Sequence, residues 1–578
     1  MTGPAAPKDP EKARPFFYIL KDKDIFGERQ KDGTGIQFIY ESDGRLINSA
    51  QITGNVTDKE ELTLLETVEG FGRLVHSIGV SVETDRPKET AEFVFQMYGK
   101  KDLYGGGTNL TTSLKCDGME HRIYLSDYRW TEDDHVPGQI KILFAAPERM
   151  GKVSVRLFLN DGYEAPPEEE DLVIDMHSEE YCGMISRSLL QMGNPYRIRK
   201  AIEKSKAGKE VTLAYIGGSI TQGAGAIPIH TECYAYKSFQ LFQNRFSTQN
   251  NVRFIKAGVG GTPSELGMIR FDRDVLREGE RPDIVVIEFA VNDEGDETKG
   301  VCYESLVRKV LKLPWKPAVV LLFSVFANDW NLQERLRPVG DLYDLPMVSI
   351  RDAVTPQFSL KCGEGRILSK NQFFYDMFHP NNTGHTIMAD CLQYLFERCD
   401  AAEPARVGTF VEGMTEEQIL SEKLSGPAVI GADFERIFLL DKKNRYVGAK
   451  IRTGSFISTD IELQSVEMDG SLTQTPEFPY NWMYDGSRPQ MPGFEMEITC
   501  KSLFLIFKDS GETDVGKANV FVNDVYCMTA DPHKNNWLHC NAVLLFWETE
   551  SRSHKVRIAV TEEDRNKKFT ILGFGYTI

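Results

Sequence analysis

Residues 211–221 read VTLAYIGGSIT, and this stretch decides the fold. Its first seven residues are mostly apolar without alternation, which is typical of a strand buried on both faces of a parallel sheet. Gly217 and Gly218 permit a tight turn, and Ser219 then stands at the rim of the sheet before a helical pattern. The free N–H groups of a helix start favour negative charge there. Alone, the stretch is as typical of a phosphate-binding turn or a capping serine, although it has neither a phosphate-loop lysine nor the spacing GxGxxG.

The neighbouring segments repeat this pattern of a buried strand followed by a helix. The strand-like runs are VRFIKAG (252–258), DIVVIEFAV (283–291) and AVVLLFSVF (318–326). Helical patterns lie near 234–246, 264–276 and 303–311, between or before these runs. Residues 176–402 are therefore predicted to form a doubly wound α/β domain, in which active sites lie beyond the carboxyl ends of the strands.

Two more strand ends carry groups that can stabilise an oxyanion. AGVGGT (257–262) ends the second strand with glycines that let a backbone N–H approach a ligand, and AVND (290–293) ends the third with the amide of Asn292. Each segment alone is compatible with a structural loop or with an Asx turn.

The segment FYDMFHP (374–380) supplies a carboxylate and an imidazole three residues apart. In a turn, Asp376 can accept a hydrogen bond from one ring nitrogen of His379 and orient the other nitrogen toward a serine. The sequence therefore predicts a catalytic triad of Ser219, His379 and Asp376. His385 lies inside the helix that begins near Asn381, and we interpret it as structural.

The order of these motifs resembles that of the SGNH (GDSL-like) hydrolase superfamily, over roughly residues 176–400. The resemblance implies a flavodoxin-like sheet and a serine esterase. It implies that Ser219 is the nucleophile and that Asp376 and His379 are the acid–base pair. It also implies an oxyanion hole made by the N–H groups of Ser219 and Gly261 and the side chain of Asn292.

Three positions depart from the family pattern or leave a choice open. Gly218 stands where the family usually has aspartate, which is not a triad member. Ala290 stands where glycine is usual, and a positive φ there would cost on the order of 1–2 kcal/mol. Gly260 is an adjacent alternative to Gly261 as the oxyanion donor.

The flanking regions have β-rich patterns. GQIKILFAA (138–146) and KVSVRLFLND (152–161) predict an N-terminal β-sandwich of jelly-roll type over 16–175, after a disordered tail at 1–15 and with an acidic linker at 166–171. SLFLIFKD (502–509) and HKVRIAV (554–560) predict a second β-sandwich over 403–578, which is a candidate carbohydrate-binding domain.

Chains that join an SGNH domain to such sandwiches resemble carbohydrate acetylesterases, which implies removal of O-acetyl groups from xylan- or mannan-class glycans. Trp330, Asn331 and Gln333 follow a strand end and are candidates for a sugar subsite, or for a surface loop with a packed tryptophan. Trp482 and Trp537 lie in polar stretches and are candidates for stacking on sugars. Trp547, within a strand, is predicted to be in the core.

Two other functions are compatible with the sequence. One is an SGNH esterase that acts on lipids, thioesters or sialic-acid acetyl groups. The other is a carbohydrate-binding scaffold with an inactive esterase domain. Intact serine, histidine, aspartate and asparagine motifs argue against the second.

The composition narrows the partners. The 578 residues carry a net charge of −18, which disfavours nucleic-acid and membrane-surface partners. The ten cysteines include no CxxC pair, and neither His230 nor Cys233 has metal-ligand spacing, so neither a metal nor a cofactor is expected. The N-terminal stretch has no apolar run of signal-peptide type, so a cytoplasmic location is expected, although a leader removed earlier would leave the same pattern. The oligomeric state is not predicted.

Overall fold

The computed structural model describes residues 13–40, 44–53, 58–101, 105–168, 170–402 and 414–578. Most of the predicted tail at 1–15 lies outside the described residues. Pro15, at the described end of that stretch, is held in place because the Leu159 N–H donates to Pro15 O at 2.9 Å. No helix among the described residues has the length and apolar character that crossing a bilayer requires.

The N-terminal region consists of two antiparallel sheets that enclose an apolar core. One sheet has the order β1-β9-β4-β7 and the other β2-β3-β8-β5-β6. Inward residues such as Phe93 and Val155 are fully buried between them, as in a β-sandwich. The elements are β1 Phe16–Phe26, β2 Glu28–Arg29, β3 Gly35–Tyr40, α1 Arg45–Thr53, α2 Lys59–Thr63, α3 Val68–Leu74, β4 Val75–Thr84, β5 Thr90–Gly99, β6 Asn109–Lys115, β7 His121–Tyr124, β8 Asp134–Phe144 and β9 Met150–Leu159.

The central region is an α/β domain built on a six-stranded sheet. Its elements are α4 Glu179–Ser186, β10 Leu189–Gln191, α5 Tyr196–Lys206, β11 Val211–Gly217, α6 Ser219–Gln222, α7 Ile229–Glu232, α8 Tyr234–Phe246, β12 Val252–Gly258, α9 Ser264–Phe271, β13 Ile284–Glu288, α10 Val301–Leu311, β14 Ala318–Phe323, α11 Gln333–Tyr343, β15 Met347–Ser349, α12 Ile350–Phe358, α13 Lys370–Phe373 and α14 Asn382–Ala401. The predicted doubly wound fold is confirmed, and the predicted helices correspond to α8, α9 and α10.

The strand order β10-β15-β14-β13-β11-β12 explains why the motifs meet. All pairs are parallel except β10 with β15. Every residue of β11, β13 and β14 is buried, because helices cover both faces of the sheet. Gly217 pairs with Gly258 on one side and with Glu288 on the other, so three motif-bearing strands end side by side.

The C-terminal region forms an eight-stranded antiparallel sheet and a two-stranded ribbon. Its elements are α15 Glu416–Ser425, β16 Ile437–Leu440, β17 Ala449–Arg452, β18 Ser465–Glu467, β19 Gln474–Pro476, β20 Trp482–Tyr484, β21 Phe494–Asp509, β22 Ala518–Val522, β23 Val525–Ala530, β24 His539–Val560 and β25 Phe569–Thr577. The register of β21 against β24 shifts between Cys500 and Ser502, and the two halves of β21 pair with different outer strands, β17 and β25. Phe504 and Ile506 join the core on one face of the central sheet, so this region is packed firmly against the α/β domain.

Candidate active site

Ser219 begins α6, directly after the end of β11. The two preceding glycines are required by close approach. A Cβ on Gly217 would lie 2.2 Å from Thr221 Oγ1, and one on Gly218 would lie 2.3 Å from Asn292 Oδ1. The helix that follows is a single turn, which ends where Gly223 adopts a positive φ of 110°. The turn therefore presents the serine and brings the Asn292 amide against its backbone.

Ser219, His379 and Asp376 form a continuous hydrogen-bonded chain. The distance from Ser219 Oγ to His379 Nε2 is 3.0 Å, and that from His379 Nδ1 to Asp376 Oδ2 is 2.9 Å. Asp376 Oδ1 accepts the N–H groups of Phe378 at 2.7 Å and of His379 at 2.9 Å. The three predicted triad residues are thus brought together.

Electrostatics set the direction of the protons in this chain. Burial would raise the pKa of Asp376, but the His379 ring and the Phe378 N–H outweigh burial and leave the pKa below its usual value. An ionised carboxylate can only accept, so Nδ1 of His379 carries the proton toward it. Nε2 of the neutral ring is then free to accept the hydroxyl proton of Ser219.

The N-terminal region supports the loop that carries Asp376 and His379. The loop is closed by a bridge between Phe374 and Pro380 and by Tyr375 N–H donating to His379 O at 2.8 Å. Lys23, a buried residue of β1, donates to the carbonyls of Phe374 and Asn371. A charge-assisted bond from another domain therefore fixes the base of this loop.

The loop at 259–262, here called the oxyanion loop after its predicted role, favours Gly261 over Gly260 as the candidate donor. The N–H of Gly260 is already donated to Gln222 Oε1 at 3.0 Å. Gly261 has a φ of 71°, a conformation that other residues adopt only with strain. Ala290 lies outside the positive-φ region, so the penalty considered for an alanine at that position does not arise.

Two buried acids beneath the site were not identified from the sequence. Glu288 ends β13 and accepts from Thr221 Oγ1 at 3.0 Å, and burial raises its pKa to about 7. Asp293 accepts the Ser264 N–H at 2.7 Å and so ties the start of α9 to the Asn292 turn, and burial and Asp296 raise its pKa to about 8. The only sequence signal for Glu288 was a charged residue ending an otherwise apolar strand.

One group of potential metal ligands occurs among the described residues, at Glu265, Asp296 and Cys302. Asp296 already accepts the N–H groups of Thr298 and Gly300. Burial, followed by the charge of Asp296, raises the pKa of Glu265 to about 10. Glu265 is therefore protonated at neutral pH and can share a hydrogen bond with Asp296.

Ser219 and His379 face a cavity of about 960 Å³, here called the cleft. All three regions of the chain contribute to its walls. The α/β domain supplies Ser219, Gln222, Ala224, Gly260, Gly261, Asn292, Phe326, Phe378 and His379. The N-terminal region supplies Gly44, Arg45, Leu46, Ile47, Leu65, Glu66, Tyr98, His135, Val136 and Pro137, and the C-terminal region supplies Asn535, Asn536 and Trp537.

The predicted sugar-subsite residues Trp330, Asn331 and Gln333 are not among the described residues that line the cleft. Trp330 stacks on Phe326 with ring centroids 5.7 Å apart, Asn331 donates to Ser324 O at 2.8 Å, and the buried Gln333 donates to Asp352 Oδ2 at 3.1 Å. The loop after β14 folds back onto the domain, so these side chains serve packing. The structure therefore matches the alternative of a surface loop with a packed tryptophan at this place.

The three tryptophans of the C-terminal region differ in exposure. Trp482 is 4% exposed and belongs to the core, so it is unavailable for stacking on a sugar. Trp547 is 43% exposed, so its predicted place in the core was wrong; its ring centroid lies 4.9 Å from that of Phe434. Trp537 is 45% exposed and lines the cleft.

Replacing Asn292 with alanine is expected to lower kcat for ester hydrolysis by about 10²- to 10³-fold, because one oxyanion donor is lost. Steady-state kinetics on 4-nitrophenyl acetate measures the effect. Asn331→Ala is the matched control, since its amide bonds to Ser324 and does not line the cleft. Equal activities of the two variants would contradict the role of Asn292 as an oxyanion donor.

His385 is buried in α14 beside the site and makes two hydrogen bonds. Tyr234 N–H donates to Nδ1 at 3.1 Å, and Nε2 donates to Ala224 O at 3.1 Å. Burial lowers the pKa of His385 to about 3. The folded protein therefore keeps this ring neutral at acidic pH, which agrees with its predicted structural role.

The depressed pKa of His385 predicts a loss of stability in acid. Below about pH 6.5, His385 binds a proton in the unfolded chain but not in the folded chain. The free energy of unfolding therefore falls as the pH drops from 6.5 toward 3. The free energy of unfolding is measured by urea denaturation from pH 7 to 4.5. In His385→Gln its slope with pH is expected to be smaller than in wild type, by an amount that corresponds to at most one bound proton. The exposed His177→Gln is the control. Parallel pH profiles for wild type and His385→Gln would contradict the assignment.

Comparison with known proteins agrees with the site at the level of the family. Residues 215–387 match the GDSL-like lipase/acylhydrolase family, and this segment contains Ser219, Asp376 and His379. The match confirms the predicted resemblance to SGNH hydrolases and, with it, the predicted class of ester hydrolase. No curated protein matches the chain.

Two solved structures share much of the fold. A two-domain esterase (CEX) active on acetylated mannans has a TM-score of 0.54 at 23% identity, covering 68% of this chain and 98% of that chain. The same kind of esterase co-crystallised with mannopentaose has a TM-score of 0.53 at 24% identity, with the same coverage. At this identity the likeness establishes the fold alone.

Proposed function

We propose that this chain is a serine esterase that removes O-acetyl groups from glycans of the mannan or xylan class. The proposal depends on one observation, the hydrogen-bonded chain from Asp376 through His379 to Ser219, which opens into the cleft. We assign the three domains of the chain to residues 16–175, 176–402 and 403–578.

In the proposed reaction, His379 Nε2 takes the proton of Ser219, and the serine oxygen attacks the acetyl carbonyl. The N–H groups of Ser219 and Gly261 and the amide of Asn292 stabilise the tetrahedral oxyanion. His379 then protonates the departing sugar hydroxyl, leaving an acetyl-enzyme. Water, deprotonated by the same ring, releases acetate and restores Ser219.

The size and the lining residues of the cleft favour a carbohydrate substrate. Its volume of about 960 Å³ lies at the upper end of the range for small-molecule sites and leaves room for sugar rings around the ester. Trp537 offers an exposed aromatic face, and Asn535, Asn536 and Glu66 offer polar groups of the kind that bind hydroxyls. The likeness to an esterase active on acetylated mannans points to the same class.

The test is to incubate the full chain with acetylated manno- and xylo-oligosaccharides and to follow the loss of single acetyl groups by mass spectrometry. Deacetylation of either set, together with labelling of Ser219 by a fluorophosphonate, supports the proposal. Activity confined to long-chain acyl esters or thioesters would instead favour an esterase for other substrates. Absence of labelling in folded protein would favour a carbohydrate-binding scaffold.

A further inference from the structure

We infer that the C-terminal domain sets the geometry of the oxyanion hole through two positioning residues, Gln464 and His539. The inference rests on the proposed function, since it concerns the donor assigned to Gly261. Neither residue lines the cleft in the described part of the chain. Both side chains bind backbone carbonyls of the oxyanion loop.

Gln464 holds the peptide that carries the Gly261 N–H. Gln464 Nε2 donates to Gly260 O at 2.9 Å. In a trans peptide, the carbonyl of one residue and the N–H of the next lie in one rigid plane and point in opposite directions. Fixing the Gly260 carbonyl therefore fixes the direction of the Gly261 N–H. A Gly–Gly peptide has little steric resistance to rotation, so this external anchor decides its orientation.

Gln464 is itself oriented at its other end. Its Oε1 accepts the Cys540 N–H at 2.9 Å, and the side chain is buried. The amide therefore cannot rotate without losing a buried hydrogen bond, which is costly. Its donor is held toward the oxyanion loop.

His539 holds the next peptide along the loop. Its Nε2 lies 3.1 Å from Gly261 O, and because a carbonyl only accepts, Nε2 must carry a proton. Its Nδ1 lies 3.3 Å from Asn535 Nδ2 and 3.4 Å from Asp509 Oδ2. Nδ1 accepts from Asn535 when the ring is neutral and donates to Asp509 when the ring is charged. Both protonation states leave Nε2 as the donor to Gly261.

Two more contacts complete this support. The Gly260 N–H donates to Gln222, whose Nε2 donates in turn to Glu467 Oε2 of the C-terminal domain at 3.0 Å. The Trp537 ring lies so close to Gly261 that a Cβ there would be 2.7 Å from it. Hydrogen bonds thus fix the orientation of consecutive peptides of the oxyanion loop. Donors fixed in this way before the reaction are what electrostatic stabilisation of an oxyanion requires.

The test compares Gln464→Met and His539→Leu, which remove the donors, with His539→Gln, which retains one. The full chain is assayed on 4-nitrophenyl acetate and on acetylated manno-oligosaccharides. Donor removal is expected to lower kcat by about 10- to 100-fold with KM within about twofold, because a small misplacement of a catalytic group costs this much. His539→Gln is expected to recover most of the activity.

The control is Arg277→Gln, which removes an ion pair with Asp469 between the same two domains and does not contact the oxyanion loop. Its kcat is expected to equal that of wild type, and melting temperatures show whether each variant is folded. A loss of activity equal in Arg277→Gln and the donor variants, or a rise in KM alone, would overturn the inference. If the wild type were not labelled at Ser219 by a fluorophosphonate, the proposed function itself would fail. That outcome is seen without any variant, so it is distinguished from a failure of the inference about Gln464 and His539.

Discussion

Replacing Ser219 with alanine is expected to lower kcat for acetyl-ester hydrolysis by about 10⁶-fold, to the residual catalysis that binding and the oxyanion hole provide. The physical reason is that His379 Nε2 faces only this hydroxyl at 3.0 Å in the triad chain, so the variant has no nucleophile to deprotonate. Acetate release at high enzyme concentration measures the loss, and labelling by a fluorophosphonate should disappear with it.

Ser186→Ala is the matched control, because Ser186 lies on α4 and its hydroxyl donates to Gly183 O. This variant is expected to keep wild-type activity. The melting temperature of Ser219→Ala should stay close to that of wild type, because Ser219 is only partly buried. Retention of even a few per cent of the activity by folded Ser219→Ala would mean that the nucleophile lies elsewhere.

Replacing Asp376 with asparagine is expected to lower kcat by about 10⁴-fold and to leave a weak, measurable enzyme. The two backbone N–H groups at Asp376 Oδ1 require an acceptor there, so the new amide keeps its oxygen at that position. The NH₂ group then occupies the position of Oδ2 and faces His379 Nδ1. Nδ1 becomes an acceptor, the ring proton moves to Nε2, and His379 can no longer take the proton of Ser219.

Asp390→Asn is the control for this charge change. Asp390 also accepts a hydrogen bond, from the Tyr181 hydroxyl at 2.5 Å, but it lies on α14 away from the cleft. Its activity should match that of wild type across the pH range of the assay. An Asp376→Asn variant within tenfold of wild type would show that the carboxylate does not set the ring tautomer.

The sequence predicted the site residues where the motif is local, or where parallel strands bring the ends of several motifs together. The motif after β11, the Asn292 turn and the Asp376–His379 turn each end an apolar run or precede a helix, and parallel strands bring such ends to one edge of a sheet. Those features predicted the α/β domain and the residues that meet in the site.

The walls of the cleft could not be predicted in the same way. Arg45, Tyr98 and Trp537 reach it from domains whose placement depends on long-range packing, which leaves no local pattern. Trp330 was a candidate for a sugar subsite because it follows a strand end, but the position of a residue after a strand does not determine how the loop turns back. Trp547 was assigned to the core because β24 was read as a buried strand, whereas much of that strand faces outward.

The ammonium group of Lys23 has a consequence for how this molecule can be divided. It reaches from the first strand of the chain to two carbonyls near the base of the Asp376–His379 turn. An α/β domain excised or transplanted without that strand would keep Ser219, His379 and Asp376 and yet lose an anchor of the turn that carries two of them. The parts of this protein are therefore not interchangeable modules: engineering that swaps the N-terminal domain must carry over a cation at this position.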